Sequence, residues 1–379
     1  KAWTDKIITQ LKEMPNVIVR NRAQVFGYYD HNMTVMIERT GDHLKDKSKY
    51  VPRQRLWHIR AKEVILSTGS IERPIVFGNN DTPGVFLSAA AKEYIKVYGV
   101  LVGKKPLIFT NNDSGYETAL EFKKHGIDPI ILDTREEHSS ELIDSAKSKN
   151  IKIKFSYAVI AANGYKKVNS AQIGKLNKDK TSFVNSETIE CDCICVSGFW
   201  TPTVHLASQS GNKLKFDDKI DAFVPDKSKQ NETSIGASKG TFTLQDILDE
   251  GFKKGFDISK KITNNNNLTS TPSSNEIKKR PHDKFWCSPL PKDKNFKRFV
   301  DFQNDVSVSD IEVALREGYR SIEHVKRYTT LGMATDQGRT SNLNGLQLVA
   351  NVEKKIVPQV GHTTFRPPFT PITIGTIVG

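Results

Sequence analysis

Cysteine is scarce in this chain, with four thiols in 379 residues. Three stand in one apolar run, Cys191-Asp-Cys-Ile-Cys195, and Cys287 lies far from them. Alternate residues of a strand share a face, so the run predicts three thiols in a row. A metal would need ligands converging from elsewhere, so the thiols read as buried and reduced rather than as a metal centre. The absence of a disulfide framework points to a reducing, cytoplasmic setting. Long apolar runs are also missing. None approaches the roughly 20 residues a membrane helix needs, which argues against a helical membrane span. Residue 1 is Lys, and Ala2 to Leu11 reads as an amphipathic helix, with no charged-then-apolar leader. The expectation is a chain without a secretory signal that begins inside a longer polypeptide. Catalytic constellations are lacking too. His58, His125, His205, His324 and His362 are scattered, and no Ser/His/Asp set, acid dyad or metal cluster accompanies them. The predicted catalytic and metal sets are therefore empty.

Positive charge is in excess, at a net +13. The lysines are dispersed, and no basic stretch is interleaved with aromatics, which argues against nucleic-acid binding. Solvated Lys-rich and Asn-rich faces are the plain reading. A basic face toward anionic cofactors or an acidic partner subunit is the alternative.

The 37% hydrophobic and 26% charged residues are ordinary for a globular protein, and the length allows two or three domains. A helix over 1–15 and a short strand at Val17–Arg20 open the pattern. Strands follow at Ala23–Tyr29, Met33–Arg39, Gln54–Arg60 and Val64–Leu66. Ser88–Gly99 reads as a helix ended by its glycine. Lys105–Thr110, a helix to His125-Gly126, and Asp128–Asp133 form a βαβ unit. A dinucleotide fold wants G-x-G-x-x-G at the first turn, but this chain has Thr110, Asn112 and Gly115 there. The unit is predicted to keep the fold and to have lost its nucleotide. A helix over Leu142–Lys149, a meander over 152–184 and the apolar strand Glu190–Ser197 come next. Thr243 can cap a helix through Gly251. Asn264-Asn-Asn-Asn-Leu-Thr-Ser-Thr-Pro-Ser-Ser cannot build a core and reads as linker. Ile311, Ala314 and Leu315, then Ile322, Val325 and Tyr328, mark two helices. Ser307 or Ser309 caps the first, and Gly318 ends it. Asn344–Val352 reads as a short strand.

Three signatures carry a resemblance. Val64-Ile-Leu-Ser-Thr-Gly69 with Arg73-Pro74 resembles the ATG motif of the two-dinucleotide-fold, glutathione-reductase-like flavoproteins. Cys191-Asp-Cys-Ile-Cys-Val-Ser-Gly198 resembles the strand returning from the inserted second domain, and Ser234-Ile-Gly-Ala-Ser238 precedes a helix start suited to phosphate. The stretch 299–341 resembles a helical two-iron two-sulfur module. Its four ligand positions fall here on Asp301, Gln303, Asp336 and Ser341, none of them a thiol. With Phe26-Gly-Tyr-Tyr-Asp30 and Pro367-Pro-Phe-Thr-Pro371, the whole chain resembles the alpha-subunit family of heterotetrameric sarcosine oxidases.

The resemblance implies an α/β, two-dinucleotide-fold architecture followed by a small helical ferredoxin-like module without cluster cysteines. Its expected units are a first dinucleotide domain from 1–103 and 187–255, and an inserted Rossmann-like domain at 104–186. A linker at 256–290, the module at 291–360 and a linker at 361–379 toward a folate-binding domain complete them. The family reading brings NAD in the first fold, at Val25, Thr68, Gly69, Gly236, Thr241, Phe242 and Thr243. It brings FMN at the interface with a beta subunit, its phosphate near Lys326, Arg327, Thr329, Thr330, Arg339 and Thr340. FAD and sarcosine belong to the beta subunit, tetrahydrofolate to the absent domain, and gamma and delta subunits complete the assembly. Lacking the N-terminal glycine-rich motif, the fragment is expected to be inactive alone. The alternatives are the alpha subunit of a related opine, proline or glycine dehydrogenase, whose cluster cysteines are missing here, and a non-enzymatic flavoprotein-like scaffold.

Overall fold

Alternating apolar residues between 23 and 60 fold into the first sheet. The computed structural model describes residues 2–46, 48–263, 271–274, 282–291 and 293–378. After helix α1 (Ala2–Glu13), strands β1 (Ala23–Tyr29), β2 (Met33–Arg39) and β3 (Gln54–Arg60) form an antiparallel meander in that order. Phe26, Val35 and Ile37 bury one face of it. The strand expected at Val17–Arg20 is not formed, and Ile18 there stands exposed.

The chain continues through β4 (Val64–Leu66), β5 (Ser70–Glu72), β6 (Val85–Leu87) and α2 (Ser88–Tyr98). Then come β7 (Pro106–Thr110), α3 (Ser114–Lys124), β8 (Ile130–Asp133), α4 (Glu141–Ser148) and β9 (Lys152–Phe155). Gly99, at φ +65°, ends α2 in the left-handed conformation that glycine adopts cheaply. An antiparallel trio follows, β10 (Tyr157–Gly164), β11 (Val168–Leu176) and β12 (Phe183–Glu190), before β13 (Cys193–Ser197).

Strands β6, β13, β7, β8 and β9 lie side by side in one sheet, all paired in parallel. Three expectations change here. The stretch 152–160 is not one meander strand: β9 extends the parallel sheet, and β10 starts the meander. The return strand is not in the first domain either. Neither β13 nor β6 respects the boundaries drawn at 187 and 103, because each belongs to the inserted sheet. The thiols do not form one row. Cys193 and Cys195 face the helices, whereas Cys191 precedes β13 and packs in the core toward the meander. All three are buried and free.

Strand β14 (Trp200–Pro202) pairs antiparallel with β5, and the helical turn α5 (His205–Gln209) follows. The hairpin β15 (Leu214–Asp217) and β16 (Ala222–Pro225) leads to β17 (Glu232–Ser234), which lies parallel to β4. A 3-10 turn at Gly236–Lys239 precedes α6 (Leu244–Thr263). This helix runs past both Gly251 and Gly255, so the predicted stop at Gly251 and linker start at 256 are too early. The Asn-rich part of the linker lies outside the described residues. Residues 282–290 are no linker: the Val76 and Trp286 main chains are hydrogen-bonded at 2.9 Å, and Arg73 stacks on the Trp286 ring at 3.9 Å.

The module comprises β18 (Phe299–Asp301), β19 (Val306–Ser307), α7 (Val308–Arg316), α8 (Ile322–Thr329), α9 (Asn342–Glu353) and α10 (Val357–Val360). At the start of α7 the Ser307 N–H donates to the Asp310 carboxylate at 2.8 Å. The strand expected at Asn344–Val352 is helix α9. Leu346, Leu348, Ala350 and Val352 mimic a period of two, but Leu343, Leu346, Val349 and Ala350 bury a helical face. Val300, Ile311, Val325 and Leu346 share one core with Phe199, Ala222, Val224 and Trp286. The segment after 360 is no free linker. Thr363, Phe369 and Thr370 are buried, and the Phe369 N–H donates to the Phe26 carbonyl at 2.6 Å. A short α11 (Ile374–Val378) ends the described chain.

Candidate nucleotide and flavin sites

Parallel pairing of β4 with β17 brings two glycine turns together at the carboxyl ends of neighbouring strands. That edge is where open α/β sheets bind ligands. Gly69 has φ +76° with open space where a side chain would start, and Gly236 has φ +65°. The Thr68 hydroxyl donates to the Thr203 carbonyl at 2.8 Å, and the Thr203 N–H donates to the Gly69 carbonyl at 2.9 Å. These bonds fix the first turn against β14. The second turn is held by the Thr241 N–H on the Gly236 carbonyl (3.2 Å) and the Gly236 N–H on the Glu250 carboxylate (2.9 Å). Thr243 hydrogen-bonds Asp246 at the start of α6.

Val25 is half-buried against Tyr28 and Leu66, so it reaches the same sheet from β1. Phe242 differs from the rest. Its ring packs edge-on against Phe199 at 5.3 Å and belongs to the core rather than to the turn. Thr68 and Gly69 thus share one turn and Gly236 and Thr241 the other, with Thr243 at the start of α6, whereas Phe242 serves packing.

The corresponding turn of the second fold is filled by its own side chains. Asn112 donates to the Ser197 carbonyl and hydroxyl at 3.0 and 3.1 Å and accepts from the Ser114 N–H at 2.8 Å. A Cβ on Gly115 would meet Thr110 at 2.7 Å. Beneath it, buried Arg135 pairs with Asp113 and Asp133, each at 2.8 Å, and Tyr116 donates to Asp133 at 2.7 Å. The room and the donors that a pyrophosphate would use are taken.

In the module, the positions where the resemblance put cluster ligands hold one another through backbone. The Asp301 carboxylate accepts from the N–H groups of Gln303 (2.9 Å) and Gly332 (2.7 Å). The Gln303 side chain accepts from the Thr335 hydroxyl at 3.0 Å, and Asp336 accepts from the Gly338 N–H at 3.0 Å. Burial raises the Asp336 carboxyl, the Gly338 N–H opposes this, and Asp301 adds to it. Among the described residues no three His, Cys, Asp or Glu side chains converge on a metal position.

The six residues expected around one phosphate are not together. Lys326 and Arg327 line a cleft of about 220 Å3 with Glu323, Met333, Thr364 and Arg366. Burial holds the Lys326 ammonium below its usual range. Thr329 and Thr330 turn back on the helix end, donating to the Val325 (2.8 Å) and Thr329 (2.5 Å) carbonyls. Thr340 lines a different, mostly apolar cavity of about 360 Å3 with Phe77, Phe86 and Phe302. Arg339 lies over Phe369 at 4.1 Å and donates to its carbonyl at 2.7 Å. Spacing along a turn does not say which side of it each residue faces. Arg366 was missed because it comes from the segment taken for a free linker.

Two dinucleotide-type folds, one with open glycine turns and one closed, place the chain in the α/β class of two-dinucleotide-fold flavoproteins. A solved structure of L-proline dehydrogenase from P. horikoshii superposes at a TM-score of 0.69 and 20% identity, covering 98% of this chain and 68% of that one. Residues 295–379 match the sarcosine oxidase A3 domain. The sarcosine oxidase subunit alpha of Rhizobium meliloti (strain 1021) is 36% identical over 376 residues, 98% of this chain and 36% of that protein. That of Corynebacterium sp. (strain P-1) is 33% identical, covering 100% of this chain and 40% of its own length. The chain belongs to the sarcosine oxidase alpha-subunit family, and it spans well under half the length of these curated relatives.

Proposed function

We propose that this chain is the nucleotide-binding core of an oxidoreductase alpha subunit, with NAD in the first fold. Its assembly would carry out oxidative demethylation of sarcosine to glycine, with oxygen as electron acceptor and tetrahydrofolate as one-carbon acceptor. The observation that carries this is the pairing of β4 with β17, which puts the Gly69 and Gly236 turns at the carboxyl ends of neighbouring strands. Positive-φ glycines let the backbone approach a pyrophosphate without a clashing Cβ. The start of α6 adds a dipole favourable to an anion.

A flavin phosphate fits the cleft at Lys326 and Arg327 with Arg366, a residue the spacing did not reveal. Three cations oppose one carboxylate there, Glu323, and Arg327 is 3.1 Å from it. A guanidinium grips phosphate through two parallel hydrogen bonds and an ammonium through single ones. Bound there, FMN would supply electron transfer to oxygen. The beta, gamma and delta subunits, with FAD and sarcosine in the beta subunit, belong to the same proposal. The fold likeness to proline dehydrogenase keeps a dehydrogenase alpha subunit as the second reading.

The test is cofactor content of the complete assembly. Gly236→Val should lower copurifying NAD at least about tenfold with flavin retained, since a side chain at that φ displaces the turn. Lys326→Ala with Arg366→Ala should lower FMN while FAD reduction by sarcosine persists. Full NAD in the first variant would refute the nucleotide site. Proline as the faster reductant would favour the second reading.

A further inference from the structure

A small cavity of about 40 Å3 lies between β14, α9 and the segment at 362–365. Its walls are mainly apolar, from Pro202, Leu343, Leu346 and Phe365 among others. Polar side chains also line it, His205, Arg339, Asn342 and Thr363 among them. His205 is 5% exposed and Thr363 1%. Among the described residues, Arg339 Nε, Thr363 Oγ1 and Asn342 Oδ1 of this set have no hydrogen-bond partner, and the His205 ring, which feels the Gln337 main chain, makes no well-formed bond from either nitrogen. Buried polar groups in native proteins are paired in about nine cases of ten or more, so these unpaired atoms on residues lining one cavity point to a molecule that completes them.

The chemistry of that molecule follows from the charges. Burial pushes the His205 imidazole down to about 3, and Arg339 adds to this, so the ring is neutral at ordinary pH. Arg339 is then the charged group on the wall, and no carboxylate lines the cavity with it. Asp336 offsets part of that charge from outside the cavity. An anion inside would complete the compensation and accept the Arg339 Nε–H, whereas water would supply only the hydrogen bond.

We propose that this cavity binds a small carboxylate, held by Arg339 Nε–H and the Thr363 hydroxyl, with its short remainder against Pro202, Leu343 and Phe365. A free acid and an amino acid share this chemistry. The proposal is independent of NAD and FMN occupancy.

Calorimetric titration of the full chain with sodium acetate, glycine and methylammonium chloride at constant ionic strength tests it. Acetate or glycine should bind one to one, and methylammonium chloride should give no heat beyond dilution. Tighter glycine assigns the amino acid; tighter acetate assigns the free acid. Arg339→Gln should weaken binding roughly tenfold or more, and the isosteric Thr363→Val by a smaller factor. Circular dichroism checks that each variant folds, and Thr363→Val carries the test if Arg339→Gln does not. Absence of binding by both acetate and glycine, or equal affinity in wild type and a folded Thr363→Val, overturns the assignment.

Discussion

Glu72 shows how one residue can store a pH response away from any ligand. Its carboxylate is 4% exposed and accepts the Ala89 N–H at 2.6 Å, in the first turn of α2. Burial pushes the carboxyl up to about 7 from 4.5, against hydrogen bonds from Ser197 and Ala89 and the charge of Lys92. A folded-state pKa above the unfolded one means that the native state holds the proton more tightly. The associated stability is full below pH 4.5 and is lost as pH rises through about 7. Glu72→Gln should therefore match wild type near pH 4.5 and exceed it at pH 8, by at most roughly 3 kcal/mol. Urea midpoints at the two pH values measure this, and equal pH dependence in the two proteins would contradict it. The same lesson applies to Arg135, which closes the second fold from within. Its partners Asp113 and Asp133 lie two strands' ends apart in sequence, so spacing alone gave only the substituted turn at Thr110 and Asn112.

Among the elements, the segment after 360 departs most from what its sequence promises. Prolines and threonines read as an extended tether, and extended it is, but it is packed. Phe369 buries against Tyr28, Leu66 and Leu206, with its ring 4.6 Å from that of His205. Phe369→Ala should cost about 3–5 kcal/mol through the lost transfer energy and the hole left behind. Hydrogen exchange at the Phe369 amide should speed up with it, and protection as in wild type would show that the segment is held elsewhere. Strands whose apolar alternation is clear, such as β1 to β3, were legible in the sequence. So were the glycine turns at Gly69 and Gly236 and the helices α7 and α8. What was not legible depended on neighbours distant in sequence. The placement of β6 and β13 in the inserted sheet is set by parallel partners, and α9 was disguised by a coincidental period of two. The scattering of Arg339 and Thr340 to different cavities is decided by the direction in which the loop turns.

Across the whole molecule, the module and the first fold are one body energetically. Trp286, Phe199 and Ala222 share their core with Ile311, Val325 and Val349 of the module. A chain ending at residue 290 would expose that apolar surface to water, at about 25 cal/mol for each Å2 uncovered. Such a truncation should be recovered as aggregate or be rapidly digested by trypsin. A soluble, cooperatively melting product would show that the first fold stands alone. Within the described residues no helix is long and apolar enough to cross a membrane.

The ring of oxygen acceptors at Asp301, Gln303 and Asp336 has a further consequence. Where thiolates hold a cluster, the finished domain waits on a supply of iron and sulfide and is exposed to oxidation while it waits. Here the cross-links between 301–303 and 332–338 are hydrogen bonds that the chain carries from the ribosome onward. On these bonds the loops at 301–303 and 332–338 can close on the timescale of folding itself, with donors and acceptors that the chain alone supplies.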